Sequence, residues 1–350
     1  MRLSIILISI TTFVSFAGTA TQTDWSGGDG VIGPVIDWGD QFYSDTDVNW
    51  SSDPGEVSLG YSPVEHTVDG SFDGANSVYA QDVDGDGDMD VLGAAYLDDD
   101  ITCWENDDGS GTSWTEHTID GSFDRATSVY AQDVDGDGYM DVLGTASGDD
   151  DEITWWENVD GSGTSWTEHT LDGSFHGARS VYAEDVDGDG DMDVLGAAYL
   201  DDCITWWEND DGSGTSWTEH TVDGFTRATS VYAQDVDGDG DMDVLGSAYA
   251  VHDITWWEND DGSGTSWTEH TVDGNFAGAW SVHAQDVNGD GDMDVLGAAW
   301  GDDDITWWEN YDGSGTSWTE HTFVDFYGPQ SVYAQDVDGD GYMDVCQRPG

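Results

Sequence analysis

The acidic string Ala-Gln-Asp-Val-Asp-Gly-Asp-Gly, with small variations, recurs six times and constrains the fold more than any other feature of the chain. Its first loop aspartates are Asp82, Asp133, Asp185, Asp235, Asp286 and Asp336, so the steps are 51, 52, 50, 51 and 50 residues. A fixed period of this length marks copies of one supersecondary unit stacked on one another, none able to bury its apolar surface alone. Five units run to completion, and the sixth stops after its acidic loop.

Each unit carries four strand-like runs. In the third they are Ser180–Glu184, Met192–Tyr199, Ile204–Asn209 and Trp217–Val222, rich in Val, Ile, Thr, Tyr and Trp. Asp- and Gly-rich turns such as 210–214 separate them, and no segment has a helical period. Four short strands per unit predict an all-β β-propeller of four-stranded blades. In Ile204-Thr205-Trp206-Trp207-Glu208-Asn209 the two Trp point to opposite faces, which suits a sheet sandwiched between neighbours. A β-solenoid is the alternative, but its rungs are usually shorter.

Six blades are expected, the last closed from both chain ends. Residues 64–68, Val-Glu-His-Thr-Val, match a fourth strand, and Val48-Asn49-Trp50 sits where a third would be. The C-terminal unit supplies Ser331–Gln335 and Met343–Val345 as first and second strands. Closing the ring would remove its open edges. A truncated chain is the competing explanation, because Cys346-Gln347-Arg348-Pro349-Gly350 breaks the Leu-Gly-Ala-Ala pattern.

Met1-Arg2, the apolar run from Leu3 to Phe16 and the small residues Gly18-Thr19-Ala20 read as a secretory signal peptide. The expected division is therefore 1–20 signal peptide, 21–62 an N-terminal segment able to lend a closing strand, and 63–350 the propeller. An extracellular or cell-surface location follows, without membrane insertion. Three cysteines, Cys103, Cys203 and Cys346, cannot all pair and give no disulfide framework.

The acidic loops carry the chemistry. The pattern is Asp-x-Asp-x-Asp-Gly-x-x-Asp, written in the first unit by Asp82, Asp84, Asp86 and Asp90, with the Asp88 carbonyl between them. Hard oxygen donors at alternating positions suit calcium, which takes six to eight oxygens at ~2.3–2.6 Å. Without a cation, so many carboxylates in nine residues repel one another. The second unit offers Asp133, Asp135, Asp137, Tyr139 by its carbonyl, and Asp141. The third offers Asp185, Asp187, Asp189, Asp191 and Asp193, and the fourth Asp235, Asp237, Asp239, Asp241 and Asp243. The fifth offers Asp286, Asn288, Asp290, Asp292 and Asp294, and the sixth Asp336, Asp338, Asp340, Tyr342 and Asp344. Asn288 keeps an oxygen but loses a charge, which predicts a weaker site. About six calcium ions are expected, in a structural role. An EF-hand is excluded because its twelfth position would be Glu, and here it is Gly93.

Asp82-Val-Asp-Gly-Asp-Gly-Asp-Met-Asp90, followed by Val91-Leu92-Gly93-Ala94, resembles the FG-GAP, or VCBS, repeat of integrin-α-like propellers. The resemblance covers about residues 64–345. It implies calcium-binding blades, with the loop residues named above as ligands. The Phe-Gly and Gly-Ala-Pro signatures are only partly matched: Phe72 and Gly74 flank an Asp, and Gly93-Ala94-Ala95 lacks Pro.

The net charge is -71, from 76 acidic residues against 5 basic ones, and excludes nucleic acid or an anionic membrane as partner. The few cations are placed unevenly. The acidic loop and the Asp-Gly-Ser-Gly-Thr-Ser-Trp turn barely vary between units and share one rim. The opposite connections differ, and they hold Arg125, Arg179, Arg227, His176, Trp280 and Trp300. That face is the candidate surface for an extracellular protein or glycan ligand, since loops on a rigid scaffold carry function. The Glu-His-Thr triplets around His66, His117, His169, His220, His270 and His321 face Glu and His opposite ways, so they read as strand packing. No nucleophile elbow, zincin motif or phosphate loop is present. The expected function is a non-catalytic binding or adhesion module. The rival is a lyase-like enzyme acting on polysaccharide, which would need His176, His252 or His283 in a convergent polar pocket.

Overall fold

A computed structural model describes residues 3–5, 35–37, 66–148, 151–323, 326–336 and 343–348. Each complete unit folds as one antiparallel meander. In unit three the strands are Ala178–Glu184, Asp193–Ala198, Cys203–Asn209 and Trp217–Asp223, within two residues of the sequence reading. Five such four-stranded sheets are described, with strands in chain order, as expected for propeller blades.

The paired tryptophans explain why the sheets stack. Trp206 packs into the core shared with unit four, and Trp207 into the core shared with unit two. Adjacent positions on one strand therefore feed two separate cores, and five such cores join the six units in series. Phe175 meets the edge of Trp207 with ring centres 5.1 Å apart. The second strand must come close to admit both rings. A Cβ at Gly196 would lie 2.8 Å from Phe175 and 3.0 Å from Trp207, so only glycine fits there.

The first strands line the ring axis and are stitched sideways. Ser180 Oγ accepts from the Val231 amide at 3.3 Å, and the same bond joins Ser77 to Val129, Ser128 to Val181, Ser230 to Val282 and Ser281 to Val332. Tyr130, Tyr182 and Tyr232 pack as tilted rings in the same layer, with centres 4.8 and 4.5 Å apart.

The sixth sheet draws on both chain ends, as expected, but with a different strand. Val35–Asp37 lies parallel to Asp344–Arg348, which pairs antiparallel with Ser331–Gln335. Residues 48–50, expected in that role, lie outside the described residues. Residues 64–68 are the expected fourth strand of this sheet; the described strand there, His66–Asp69, pairs instead with Leu3–Ile5. The joint from unit six to unit one also differs from the other five. Val78 is 48% exposed, whereas its equivalents Val129, Val181, Val231, Val282 and Val332 are at most 5% exposed. The sixth stitch, Ser331 to Val78, is not formed among the described residues.

Candidate functional site: acidic loops and channel mouth

Each acidic loop closes on its ninth residue. Asp193 is buried, its Oδ2 accepts from the Val186 amide at 2.9 Å, and its Oδ1 accepts from the Asn209 amide at 2.9 Å. Asp90, Asp141, Asp243 and Asp294 make the same pair of bonds. Burial pushes the Asp141, Asp193 and Asp243 carboxyls up to about 7, and Asp90 and Asp294 up to about 6. Backbone amides and neighbouring carboxylates modify that effect, in opposite directions.

The earlier positions form the cradle. Asp82, Asp84 and Asp86 offer carboxylate oxygens within 4.8 Å of one another, as do Asp235, Asp237 and Asp239. In units two and three the trios are Asp133, Asp135 and Asp141, and Asp185, Asp187 and Asp193. Burial, and then the adjacent carboxylates, push Asp135 and Asp187 above the usual carboxylate range. Asp133 Oδ1 and Asp185 Oδ1 are buried with no hydrogen-bond partner. An all-oxygen donor set of this span, holding an orphaned buried oxygen, fits a hard divalent cation such as calcium.

The opposite end of the ring is built from aromatic and arginine side chains. The Arg179 guanidinium lies 5.3 Å from the Tyr199 ring centre and 5.8 Å from that of Trp280, two units further round. The Arg227 guanidinium lies 5.2 Å from the same Tyr199 ring centre, and its Nη1 donates to the Tyr199 hydroxyl at 3.0 Å. Tyr249 connects Tyr199, Trp280 and Trp300 at 6.4, 5.8 and 6.4 Å. Arg125 covers Tyr96 at 5.7 Å.

The profile of the FG-GAP-like repeat matches residues 82–144, 133–196, 197–246, 247–297 and 286–346. The chain belongs to the FG-GAP-like repeat family. Among solved structures, it is similar to a chain in the crystal structure of a nidogen/laminin complex, with a TM-score of 0.50 and 10% sequence identity. That alignment covers 81% of this chain and 88% of the other, and it speaks for the fold alone. No curated protein matches the sequence.

The FG-GAP loops are not equivalent. In unit five the Asn288 amide donates to Asp290 Oδ2 at 2.9 Å, and no cluster of three carboxylates forms there among the described residues. In unit six Asp338, Asp340 and Tyr342 lie outside the described residues, although Asp336 and Asp344 are within them. The seventh position turns its side chain outward: Asp88, Asp191, Asp241 and Asp292 lie against Gly109, Gly212, Gly262 and Gly313. Tyr139 lies likewise against Gly161. Only the main-chain carbonyl of this position can serve the loop, so a Tyr is accommodated there.

The expected ligand-face residues separate into two groups. Arg125, Arg179, Arg227, Trp280 and Trp300 join the channel-mouth cluster. His176 does not, because its Nδ1 lies 3.2 Å from Asp201 in a largely exposed turn. His252 Nδ1 accepts from the Gly278 amide at 2.9 Å, and His283 is buried between Tyr232 and Tyr333. These three histidines stand at three different places. The repeat histidines pack as expected: His169 lies flat on Trp155 at 4.4 Å and meets Glu157 of the neighbouring strand at 3.0 Å.

Sequence comparison between units missed Asn209. Its Nδ2 donates to Val134 O and Met192 O, and its Oδ1 accepts from the Gly214 amide. The signal was available, since every complete unit ends its third strand in Glu-Asn.

Proposed function

We propose that this chain is a secreted, calcium-stabilised propeller acting as a non-catalytic binding module for an extracellular protein or glycan. The observation that carries this reading is the polarity of the ring. One rim repeats the same carboxylate cradle from unit to unit. At the opposite mouth the units differ, and there their aromatic and arginine side chains converge. A rim maintained alike in each unit serves the scaffold, whereas a mouth that differs between units serves a particular ligand.

Calcium in the cradles would stabilise the blades. An ion that binds only the folded chain adds about 2.7 kcal/mol when present at a hundredfold its Kd. With six cradles in the sequence, about six ions are expected. The test is a thermal melt with and without EDTA, followed by calcium titration with stoichiometry. A large fall in Tm on chelation and about six bound ions support the reading, and an unchanged Tm removes calcium from it. A screen of extracellular proteins and glycans against the calcium-loaded chain then tests the binding role.

Residues 1–20 are proposed as the export signal. Mass measurement of the chain recovered from culture medium checks this, and a start after Ala20 is expected. Export would then free His66–Asp69 from its pairing with Leu3–Ile5.

A further inference from the structure

The channel mouth holds the arginines in an unusual way, and two independent observations concern them. The first is electrostatic. Among the described residues none of Arg125, Arg179 and Arg227 forms an ion pair with a carboxylate, in a chain of net charge -71. Arg179 is part-buried between Tyr199 and Trp280, and its Nε is buried with no hydrogen-bond partner. A desolvated guanidinium with an unpartnered donor and no counter-ion is a ready anion anchor. Burial holds its pKa below the usual value, which an incoming anion would reverse.

The second observation is conformational. A residue just before each first strand has a left-handed backbone: Gly74, Gly177, Gly278 and Gly328 have φ of 75, 68, 72 and 56°. Units two and four place Arg125 and Arg227 at this same position, with φ of 58 and 56°. An L-residue is strained there and glycine is not. Strain kept where four sister units avoid it points to a role for the side chain rather than for the fold.

The acidic residues of this face narrow the ligand. Asp99 and Asp202 spend carboxylate oxygens on the Arg125 and Arg227 amides, and Asp201 and Asp302 cap the neighbouring turns. With these carboxylates held on the same face of a chain of net charge -71, a polyanion would be repelled. A ligand with one anionic group reaching the axis would not. Trp300, 46% exposed beside this centre, offers a flat ring for a sugar face.

We propose that the channel mouth binds a glycan end bearing a single carboxylate, anchored by Arg179 and flanked by Arg125 and Arg227. This rests on the binding-module reading above and specifies its ligand. The probes are methyl β-glucuronide and methyl β-glucoside, which differ only in the carboxylate, titrated into the calcium-loaded full chain by saturation-transfer NMR. The glucuronide is expected to bind at least about tenfold more tightly, in line with a charge-assisted hydrogen bond. R179Q should remove that preference. The double variant R125G/R227G should melt no lower than the parent, because glycine relieves the left-handed strain, yet bind the glucuronide more weakly. Equal binding of the two glycosides, weakened by W300A, would overturn the anion inference and leave the binding-module reading standing. Absence of binding by either, tighter binding of a polyuronate, or an R125G/R227G variant with undiminished affinity would also overturn it.

Discussion

Asn209 of unit three donates its side-chain amide to the Val134 carbonyl of unit two, at 3.0 Å. Val134 lies inside the acidic loop of unit two, next to Asp133. Asn158, Asn259 and Asn310 reach back to Val83, Val186 and Val236 in the same way. The third strands of units two to five thus grip the loop of the preceding unit as well as their own, so loop order and blade docking are coupled.

Asn209→Ala should therefore destabilise the propeller by about 3 kcal/mol. It leaves the buried Val134 carbonyl and the Gly214 amide without partners, and each such group costs about 1–3 kcal/mol. Denaturant unfolding in saturating calcium measures it. A loss under about 0.5 kcal/mol would mean the grip is not structural.

Asn288→Asp should tighten the cation site of unit five. It restores the carboxylate that other units carry and removes the amide now donated to Asp290. Affinity in such loops follows the charge of the ligand set. Calcium calorimetry should resolve one site moving toward tighter binding, with the remaining sites unchanged.

Two valines of equal sequence context should behave differently. Val231→Ser buries a hydroxyl in a sealed core, at 3% exposure, and should cost roughly 2–3 kcal/mol. Val78→Ser, at a 48% exposed position, should stay within about 0.5 kcal/mol. Comparable losses from both would indicate that Val78 is covered in solution, with unit six packed over it.

His283 should give the fold an acid-sensitive component. Burial between Tyr232 and Tyr333 holds its pKa down at about 4, against an ordinary 6.5. The unfolded chain takes up the proton as pH falls through 6.5, and the folded chain resists until about 4. Its contribution is complete above pH 6.5 and is lost between 6.5 and about 4, by about 3 kcal/mol in all. His283→Tyr places there the residue found at Tyr79, Tyr130, Tyr182, Tyr232 and Tyr333. Parent and variant stabilities measured across that pH window should diverge toward acid, with the variant the more stable. Parallel curves would remove the effect.

The repeat, its four strands and the opposed tryptophans were legible without coordinates. Period two places Trp206 and Trp207 on opposite faces of any strand, and a sheet with aromatic surface on both faces needs a sheet on each side. The acidic loops were legible for a similar reason, since alternating carboxylates and glycines dictate a local turn whatever surrounds it. Three things were decided only by the tertiary structure. The first is that Arg179 and Trp280, about a hundred residues apart in the chain, meet across the mouth, because ring geometry and not spacing brings units three and five together. The second is that Val35–Asp37 joins the last sheet, while His66–Asp69 pairs with Leu3–Ile5. Edge strands are bound by backbone hydrogen bonds, which carry little record in side-chain pattern. The third is the exposure of Val78, whose unit-one sequence matches that of its buried counterparts. Sequence specifies the surface each unit offers to a neighbour, and only the assembled ring determines whether a neighbour lies against it.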